Sequence, residues 1–205
     1  MKKLKLGVLA SGRGSNLQAI IDACESGSTP AEVVVVVSDM ANSHALNRAG
    51  KHGIPAVYIS PAQYSGREEY EKRILLEMRE YGVELICLAG YMLIVGRVLL
   101  DAFTNRIMNI HPALLPSFKG MHAQRQALEY GVRYSGCTVH FIDGGMDSGP
   151  IILQAVVPVL PGDSEDELSA RILEREHAIY PEAIRLYALG RLAVVGRRVD
   201  ILKEE

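Results

Sequence analysis

The chain has 205 residues and a formal net charge of −2, a length that suits one domain with a sizeable core. Its composition, 48% hydrophobic and 22% charged, excludes intrinsic disorder and collagen-like or coiled-coil sequences. The near-neutral charge argues against a broad basic surface for nucleic acid or anionic lipid, and we expect no membrane span. Three scattered cysteines without a C-x-x-C pair favour a reducing compartment, so we expect a cytoplasmic protein.

The first half of the chain alternates strand-like apolar runs with segments of helical spacing. The run at 32–38 (EVVVVVS) has no polar alternation and is typical of a central parallel strand covered on both faces. Ser65 and Glu68 match a capping box, which predicts a helix from Ser65 that stops at Gly82. The whole pattern predicts strands at Leu4–Ala10, Glu32–Ser38, Ala56–Ile59, Glu84–Ala89 and Ile107–Ile110, with further helices at Leu17–Glu25, His44–His52 and Gly96–Phe103. Strands alternating with helices predict an α/β fold with a Rossmann-like, mostly parallel twisted sheet and helices on both faces.

The pattern changes after residue 110, where loops become longer. Residues 109–120 (NIHPALLPSFKG) hold two prolines and a glycine and are interpreted mostly as loop. Ser164 and Glu167 match a second capping box, which predicts a long helix to about Leu189. We expect a short helix at Ala123–Tyr130 and strands at Thr138–Phe141, Ile151–Val157 and Leu192–Ile201. The C-terminal part should therefore add strands and a long helix to the sheet.

A glycine-rich turn at 12–16 (GRGSN) lies between a predicted strand and a predicted helix. Free N–H groups at a helix start favour an anion, and glycine lets the backbone approach a phosphate closely. The dinucleotide motif G-x-G-x-x-G is not met, because Leu17 occupies the third glycine position. We therefore favour a monophosphate site. The alternatives are a tight turn with a good N-cap and, in a different functional class, a nucleotide-binding Rossmann oxidoreductase or sensor.

A second group of polar residues surrounds the end of the fifth predicted strand. Asn109 and His111 alternate onto one side of an extended segment and suit the stabilisation of an oxyanion, although a structural asparagine and a histidine in a turn are the alternative. Asp147 would orient His111 and favour its protonated form, although Asp147 before Ser148 and Gly149 also fits ordinary turn chemistry. Asp143 before two glycines fits that turn chemistry well. His140 is interpreted as a structural, hydrogen-bonded residue. The histidines show no metal-ligand spacing, so we expect no metal.

Six segments occur in the order and spacing of a known family: SGRGSNLQAIIDA, LAGYM, MNIHPALLPSFKGMHAQRQAL, GCTVHFID, MDSGPIILQ and GDSEDELSARILEREHAIYP. Through them the sequence resembles the phosphoribosylglycinamide formyltransferases of the folate-dependent formyltransferase superfamily over about residues 4–190. The resemblance implies transfer of the formyl group of 10-formyltetrahydrofolate, the co-substrate, to the amine of 5'-phosphoribosylglycinamide in de novo purine biosynthesis. It also implies direct attack by the amine.

The resemblance assigns roles to particular residues. The family's catalytic trio falls on Asn109, His111 and Asp147, with the oxyanion stabilised by Asn109 and His111 and with His111 oriented by Asp147. The ribonucleotide is expected at Gly14, Ser15, Asn16 and Glu176. The folate is expected at Arg67, Met92, Leu93, Ile94, Val95, Asn109 and Asp143. Leu93 stands where some members of the family carry arginine.

The implied organisation is a single formyltransferase domain over 1–205, with a phosphate-binding Rossmann-like half at 1–110 and a folate and catalytic-loop half at 111–205. A formyltetrahydrofolate hydrolase is the alternative within the superfamily, because it would use water in place of the amine. A methionyl-tRNA formyltransferase would need a tRNA-binding surface, which the charge does not favour. The expected partners are the small-molecule substrates, without nucleic acid or membrane, and the expected assembly is a monomer or a homodimer.

Overall fold

Strands and helices alternate along most of the chain in the computed structural model, which describes residues 2–203. The strands are β1 (Leu4–Leu9), β2 (Ala31–Ser38), β3 (Ala56–Tyr58), β4 (Leu85–Leu88), β5 (Ile107–His111), β6 (Tyr134–Phe141), β7 (Ile151–Pro158), β8 (Leu192–Val195) and β9 (Arg198–Ile201). The helices are α1 (Ser15–Glu25), α2 (His44–Lys51), α3 (Arg67–Glu80), α4 (Arg97–Ala102), α5 (Ala123–Tyr130) and α6 (Glu165–Ala188). A short 3-10 helix covers Pro61–Gln63.

The first compact unit extends to Met108 and has the strand order β3-β2-β1-β4-β5. β1 pairs in parallel with β2 on one side and with β4 on the other. The chain therefore runs outward from β1 to β3 and then returns to β4 on the opposite side, which makes a topological switch point between β1 and β4. Ligands of open α/β sheets bind at the carboxyl ends of the strands at such a point. The glycine-rich turn follows β1, and the segment 90–95 follows β4, so both lie at this edge.

Apolar side chains of β1, β2 and β4 form the core of this unit. The fully buried ones are Leu6, Val8, Leu9, Ala31, Val35, Val36, Val37, Leu85, Ile86 and Cys87. Continuous apolar runs of this kind fit strands covered on both faces. Gly7 permits a close approach, because a Cβ there would overlap the side chains of Met78 on α3 and Val83. The absence of that Cβ lets the helix and the following turn pack directly on β1.

The second compact unit begins at Asn109 and has the strand order β5-β6-β7-β9-β8. β6 and β7 form a long antiparallel pair, β7 runs parallel to β9, and β8 and β9 form an antiparallel hairpin. Helix α6 packs against β6 and β7. Its side chains Leu168, Ile172, Tyr180 and Ile184 are buried at helical spacing, so one apolar face of α6 completes this core.

The predicted fold class is confirmed: the sheet is mostly parallel with helices on both sides, and the C-terminal part adds strands and the long helix α6. The capping box at Ser164 and Glu167 is also present in full. The matching motif at Ser65 and Glu68 does not form one, because α3 begins only at Arg67 after an extended Gly66 (φ 172°, ψ 177°). Glu68 is then the second residue of the helix rather than the third, where a capping-box glutamate belongs.

Two strand predictions in the second unit need correction. The single closing strand expected at Leu192–Ile201 is divided by Gly196, whose left-handed backbone (φ 60°) makes the turn of the β8–β9 hairpin. β6 begins at Tyr134, four residues before the expected start, because Tyr134–Cys137 pairs with Ala155–Pro158 of β7. In both places the outcome depends on strand pairing, which local apolar spacing does not report.

Candidate active site

β5 carries Asn109 and His111 from its buried start to the beginning of a loop. Ile107, Met108 and Ile110 are buried, Asn109 is half-buried, and His111 is 4% exposed. Because side chains alternate along a strand, Asn109 and His111 project from the same side of β5. The predicted alternation is therefore present.

His140 of β6 contacts the Asn109 side chain and is fully buried. Its Nδ1 lies 2.9 Å from the carbonyl oxygen of Phe141, which can only accept, so Nδ1 carries the hydrogen. Its Nε2 lies 3.2 Å from Asn109 Nδ2 and accepts one of the two amide hydrogens. Burial lowers the pKa of His140 and keeps the ring neutral, which this pairing requires. The amide of Asn109 is thereby oriented with its second N–H available to another acceptor.

His111 is held between a backbone carbonyl and a carboxylate. Its Nε2 donates to the carbonyl oxygen of Phe118 at 2.8 Å, and its Nδ1 lies 3.4 Å from Asp147 Oδ2. The other carboxylate oxygen, Oδ1, lies 3.8 Å from His140 Nε2. Asp147 therefore lies beside both imidazole rings and completes a chain of contacts from Asn109 through His140 and Asp147 to His111.

Asp147 is held in place by its own unusual backbone and by the loop opposite. Its φ of 44° is left-handed, a conformation that aspartate tolerates better than most residues. Its Oδ2 accepts the N–H of Gly120 at 2.8 Å, and its side chain is 13% exposed. A fixed carboxylate next to an imidazole keeps the ring orientation fixed as well.

Asp143 stabilises the turn that leads to Asp147. Its Oδ1 accepts the hydroxyl of Ser148 at 2.6 Å and the N–H of Gly145 at 2.9 Å. Partial burial pushes the pKa of Asp143 upward, but these two hydrogen bonds outweigh it, so the pKa lies below its usual value. The structure thus gives Asp143 the turn role that its following glycines indicate, and a role toward folate stays a prediction.

Thr138 fixes the loop that follows β5. Its buried hydroxyl donates to the carbonyl of Ala113 at 2.6 Å and accepts the N–H of Leu115 at 3.0 Å. Gln154 of β7 donates both to this hydroxyl and to the carbonyl of Leu115, each at 3.0 Å. Satisfied polar networks of this kind make a buried loop rigid, so the start of the loop carrying Phe118 and Gly120 is anchored to β6.

The glycine-rich turn of the first unit opens directly into α1. Gly14 is the N-cap residue with a left-handed backbone (φ 69°), and a Cβ there would lie 2.8 Å from the Cα of Ala45 on α2. No side chain caps this helix start, and no acidic residue occupies its first turn. Helix α6, in contrast, has a capping box and three acidic residues at its start. The start of α1 is therefore suited to bind an anion through backbone N–H groups.

The remaining predicted ligand residues of the first unit lie on α3 and after β4. Arg67 is the exposed first residue of α3. Of the segment after β4, Met92, Leu93 and Ile94 are exposed and Val95 is buried. Their assignment to folate stays a prediction.

Glu176 is buried in α6 beside β6, although a glutamate in the middle of a helix is usually solvated. It is 6% exposed. The pKa of the nearby Cys137 thiol is raised to about 12, mainly by burial and to a lesser extent by the negative charge of Glu176. A buried carboxylate is uncommon unless it is paired, and its assignment to the ribonucleotide stays a prediction.

The sequence predicts that His140 is a structural, hydrogen-bonded residue, and the residue is indeed buried and hydrogen-bonded. The sequence does not predict that its contacts are to Asn109 and Asp147. The available signal was the alternation in β6, which places Thr138 and His140 on one face of an otherwise apolar strand. Both side chains make polar contacts to the segment that carries Asn109 and its following loop.

Neither a metal cluster nor a membrane helix is found in the part of the chain that the structure describes. Among residues 2–203 no group of three or more histidine, cysteine or acidic side chains is placed to hold a metal ion. Within the same residues no helix is both long and apolar enough to cross a bilayer.

Comparisons with known proteins cover most of the chain. The family model described as formyl transferase matches residues 4–184. A phosphoribosylglycinamide formyltransferase from Escherichia coli K12 is 43% identical over 189 residues, which cover 92% of this chain and 89% of that protein. The crystal structure of glycinamide ribonucleotide transformylase 1 from Symbiobacterium toebii superposes with a TM-score of 0.97 at 54% identity, covering 98% of this chain and 95% of that one.

A longer relative contains a similar sequence as one of its parts. The trifunctional purine biosynthetic protein adenosine-3 of Drosophila pseudoobscura pseudoobscura is 46% identical over 203 residues, or 98% of this chain. The chain spans only 15% of the length of that relative. The similarity therefore concerns one segment of that protein.

Proposed function

The chain belongs to the formyl transferase family, and we propose that it transfers the formyl group of 10-formyltetrahydrofolate to the amine of 5'-phosphoribosylglycinamide, a step of purine biosynthesis. The observation that carries the proposal is the chain of contacts from Asn109 through His140 and Asp147 to His111. It holds an amide donor and an imidazole on one side of β5, beside a fixed carboxylate. Acyl transfer requires such donors where negative charge develops on a carbonyl oxygen.

The reaction begins when the neutral amine attacks the formyl carbon. A C–N bond forms, and the formyl oxygen becomes negatively charged in a tetrahedral intermediate. Asn109 donates its second amide N–H to this oxygen, since the first is held by His140. One well-placed donor contributes about 3 kcal/mol to the lowering of the barrier.

His111 is the second donor, and its Nε2 hydrogen is bound to the carbonyl of Phe118 in this structure. The substrate oxygen takes the place of that carbonyl, and the hydrogen bond that His111 loses is replaced by a stronger one to a developing negative charge. Asp147, 3.4 Å from Nδ1, orients the His111 ring.

The intermediate collapses when the bond between the formyl carbon and the folate nitrogen breaks. The amine nitrogen loses one proton, and the leaving folate nitrogen gains one. Either His111 or a water molecule that it binds carries this proton. The products are the formylated ribonucleotide and tetrahydrofolate, so atoms and charge balance without any further reactant.

The ends of the two substrates are assigned to the remaining residues. Gly14, Ser15 and Asn16 receive the phosphate at the uncapped start of α1, and Glu176 contacts the ribonucleotide. The folate contacts Arg67, Asp143 and the segment Met92–Val95. The exposed apolar side chains of that segment suit a flat aromatic ring system.

An absorbance assay of tetrahydrofolate release, run with and without glycinamide ribonucleotide, tests the proposed reaction. Release that requires the amine supports transfer, whereas equal release without it identifies a hydrolase and refutes the proposal. Asn109→Ala and His111→Ala should each lower kcat by about 10²–10³. His52→Ala is the matched control, because His52 pairs with Glu25 in the first unit. Wild-type turnover in His111→Ala would refute the mechanism.

A further inference from the structure

The segment 91–96 after β4 combines a fixed backbone with exposed apolar side chains. Met92, Leu93 and Ile94 are 67%, 36% and 62% exposed. Three consecutive exposed apolar side chains form a patch of the kind that marks a binding surface. Hydrogen bonds from other parts of the first unit hold the backbone of this segment in place.

Ser11 holds the beginning of the segment. Its hydroxyl oxygen accepts the N–H of Met92 at 2.9 Å, and its own N–H donates to the carbonyl of Gly90 at 3.0 Å. Ser11 immediately precedes the glycine-rich turn, so this contact joins the two loops at the switch point between β1 and β4.

Two neighbouring residues of α3 hold the segment near both of its ends. The hydroxyls of Tyr70 and Tyr91 lie 2.9 Å apart, and burial raises the pKa of both, so both stay protonated. Glu71, which is 3% exposed, accepts the N–H of Gly96. A Cβ at residue 96 would lie 2.8 Å from the Glu71 carboxylate, so only glycine fits this contact without a shift.

We infer that Ser11, Tyr70 and Glu71 are positioning residues that fix the segment 91–96 as a preformed apolar surface for the folate ring system. The inference rests on the proposed assignment of Met92–Val95 to folate. Fixing a loop before a ligand arrives removes much of the ordering cost from binding. Ser11 and Glu71 hold backbone N–H groups, and Tyr70 holds the Tyr91 side chain. Because none of the three is assigned to the ligand, their loss weakens folate binding without removing any folate contact.

Ser11→Ala tests this inference with a small change, and Ser65→Ala is the matched control, because Ser65 is exposed before α3 and caps no helix. Loss of one hydrogen bond should raise the folate KM about fivefold, while kcat and the ribonucleotide KM change less than twofold. Hydrogen exchange of the Met92 amide should become faster in Ser11→Ala and stay unchanged in Ser65→Ala. An unchanged folate KM, or unchanged exchange at Met92, would overturn the inference.

Glu71 offers a second test with its own conservative variant. Glu71→Gln keeps an oxygen that accepts the Gly96 N–H and should bind folate nearly as well as the wild type, whereas Glu71→Ala should bind it less tightly. Glu80→Ala, at the exposed end of the same helix, is the control. If Glu71→Ala does not fold, Tyr91→Phe replaces it, since it removes only the contact to Tyr70.

Calorimetric titration with 5-formyltetrahydrofolate separates failure of the inference from failure of the proposed function. Weaker binding in Ser11→Ala and Glu71→Ala supports the inference, whether or not the wild type transfers a formyl group. Absence of formyl transfer by the wild type refutes only the proposed function. Equal affinity in the wild type and both variants overturns the inference, whatever the activity assay shows.

Discussion

Replacing His140 with leucine tests how much activity depends on the orientation of the Asn109 amide, because Asn109 itself is retained. The Nε2 of His140 accepts from Asn109 Nδ2 at 3.2 Å, while its Nδ1–H is held by the Phe141 carbonyl at 2.9 Å. These two contacts make the nitrogen, not the oxygen, of the Asn109 amide face the ring. Leucine fills similar space without an acceptor, so nothing in the variant distinguishes the two orientations of the amide.

The magnitude follows from these two contacts. A hydrogen bond of this kind contributes about 1 kcal/mol, which is roughly fivefold in an equilibrium. Without His140 the two orientations of the Asn109 amide are equally populated, so about half of the molecules would present the amide oxygen to the substrate in place of the N–H. Because a fivefold preference presents the N–H in about five-sixths of the molecules, the fall to about one half lowers kcat about twofold in His140→Leu. Complete loss of the donor in Asn109→Ala sets the upper limit of about 10²–10³.

Steady-state formyl transfer and thermal melting of the same samples measure this effect. His140→Gln should recover most of the activity, because the glutamine side-chain oxygen reaches out as an acceptor in place of Nε2. His52→Leu is the control for removing an imidazole elsewhere in the chain. Wild-type kcat in a folded His140→Leu would show that Asn109 is oriented by something other than His140 and would refute the reasoning.

Three further predictions concern the glycine-rich turn, acid stability and the loop after β5. Gly14→Ala places a Cβ 2.8 Å from Ala45 Cα at a left-handed φ of 69°, which strains the turn by about 1–2 kcal/mol. The ribonucleotide KM should therefore rise roughly tenfold. A larger effect on the folate KM would contradict the assignment of this turn to the ribonucleotide phosphate. Burial lowers the pKa of His140, so below about 6.5 the unfolded chain binds the proton first and the free energy of unfolding falls as the pH drops. Urea denaturation between pH 5 and about 7.5 should show a shallower pH slope in His140→Gln, and an identical slope would count against the buried neutral ring. Thr138→Val leaves the Ala113 carbonyl and neighbouring groups without their partner and should lower the free energy of unfolding by about 1–3 kcal/mol, with the exposed Thr104→Val as control.

Sequence patterns predicted helices and strands correctly where residues close together in the sequence determine the structure. The apolar run at 32–38 forms the central strand β2, and the capping box at Ser164 starts α6 where it was expected. The same motif at Ser65 did not form a box, because the start of α3 after Gly66 puts Glu68 in the wrong register. Four letters of sequence are therefore sufficient to suggest a cap but not to set the residue at which the helix begins.

Within the candidate site, the sequence predicted that Asn109 and His111 share one side of a strand, and the structure places Asp147 beside His111. It did not predict the part of His140, which depends on a partner 31 residues away. Glu176 likewise has a buried position although mid-helix glutamates are normally exposed. Sequence spacing within one element cannot report contacts made between elements.

The amino-acid sequence alone determined that this chain forms an α/β sheet with a glycine-rich turn after the first strand and a polar strand end. Alternation, glycine placement and apolar runs are properties of neighbouring residues, so the sequence reports them directly. Tertiary structure alone decided that His140 orients Asn109, that Glu71 holds Gly96, and that Gly196 divides the last strand into a hairpin. The physical reason is that each of these outcomes depends on which distant groups meet when the strands and helices pack. A hydrogen bond between elements forms only where packing has excluded water and brought the donor to the acceptor.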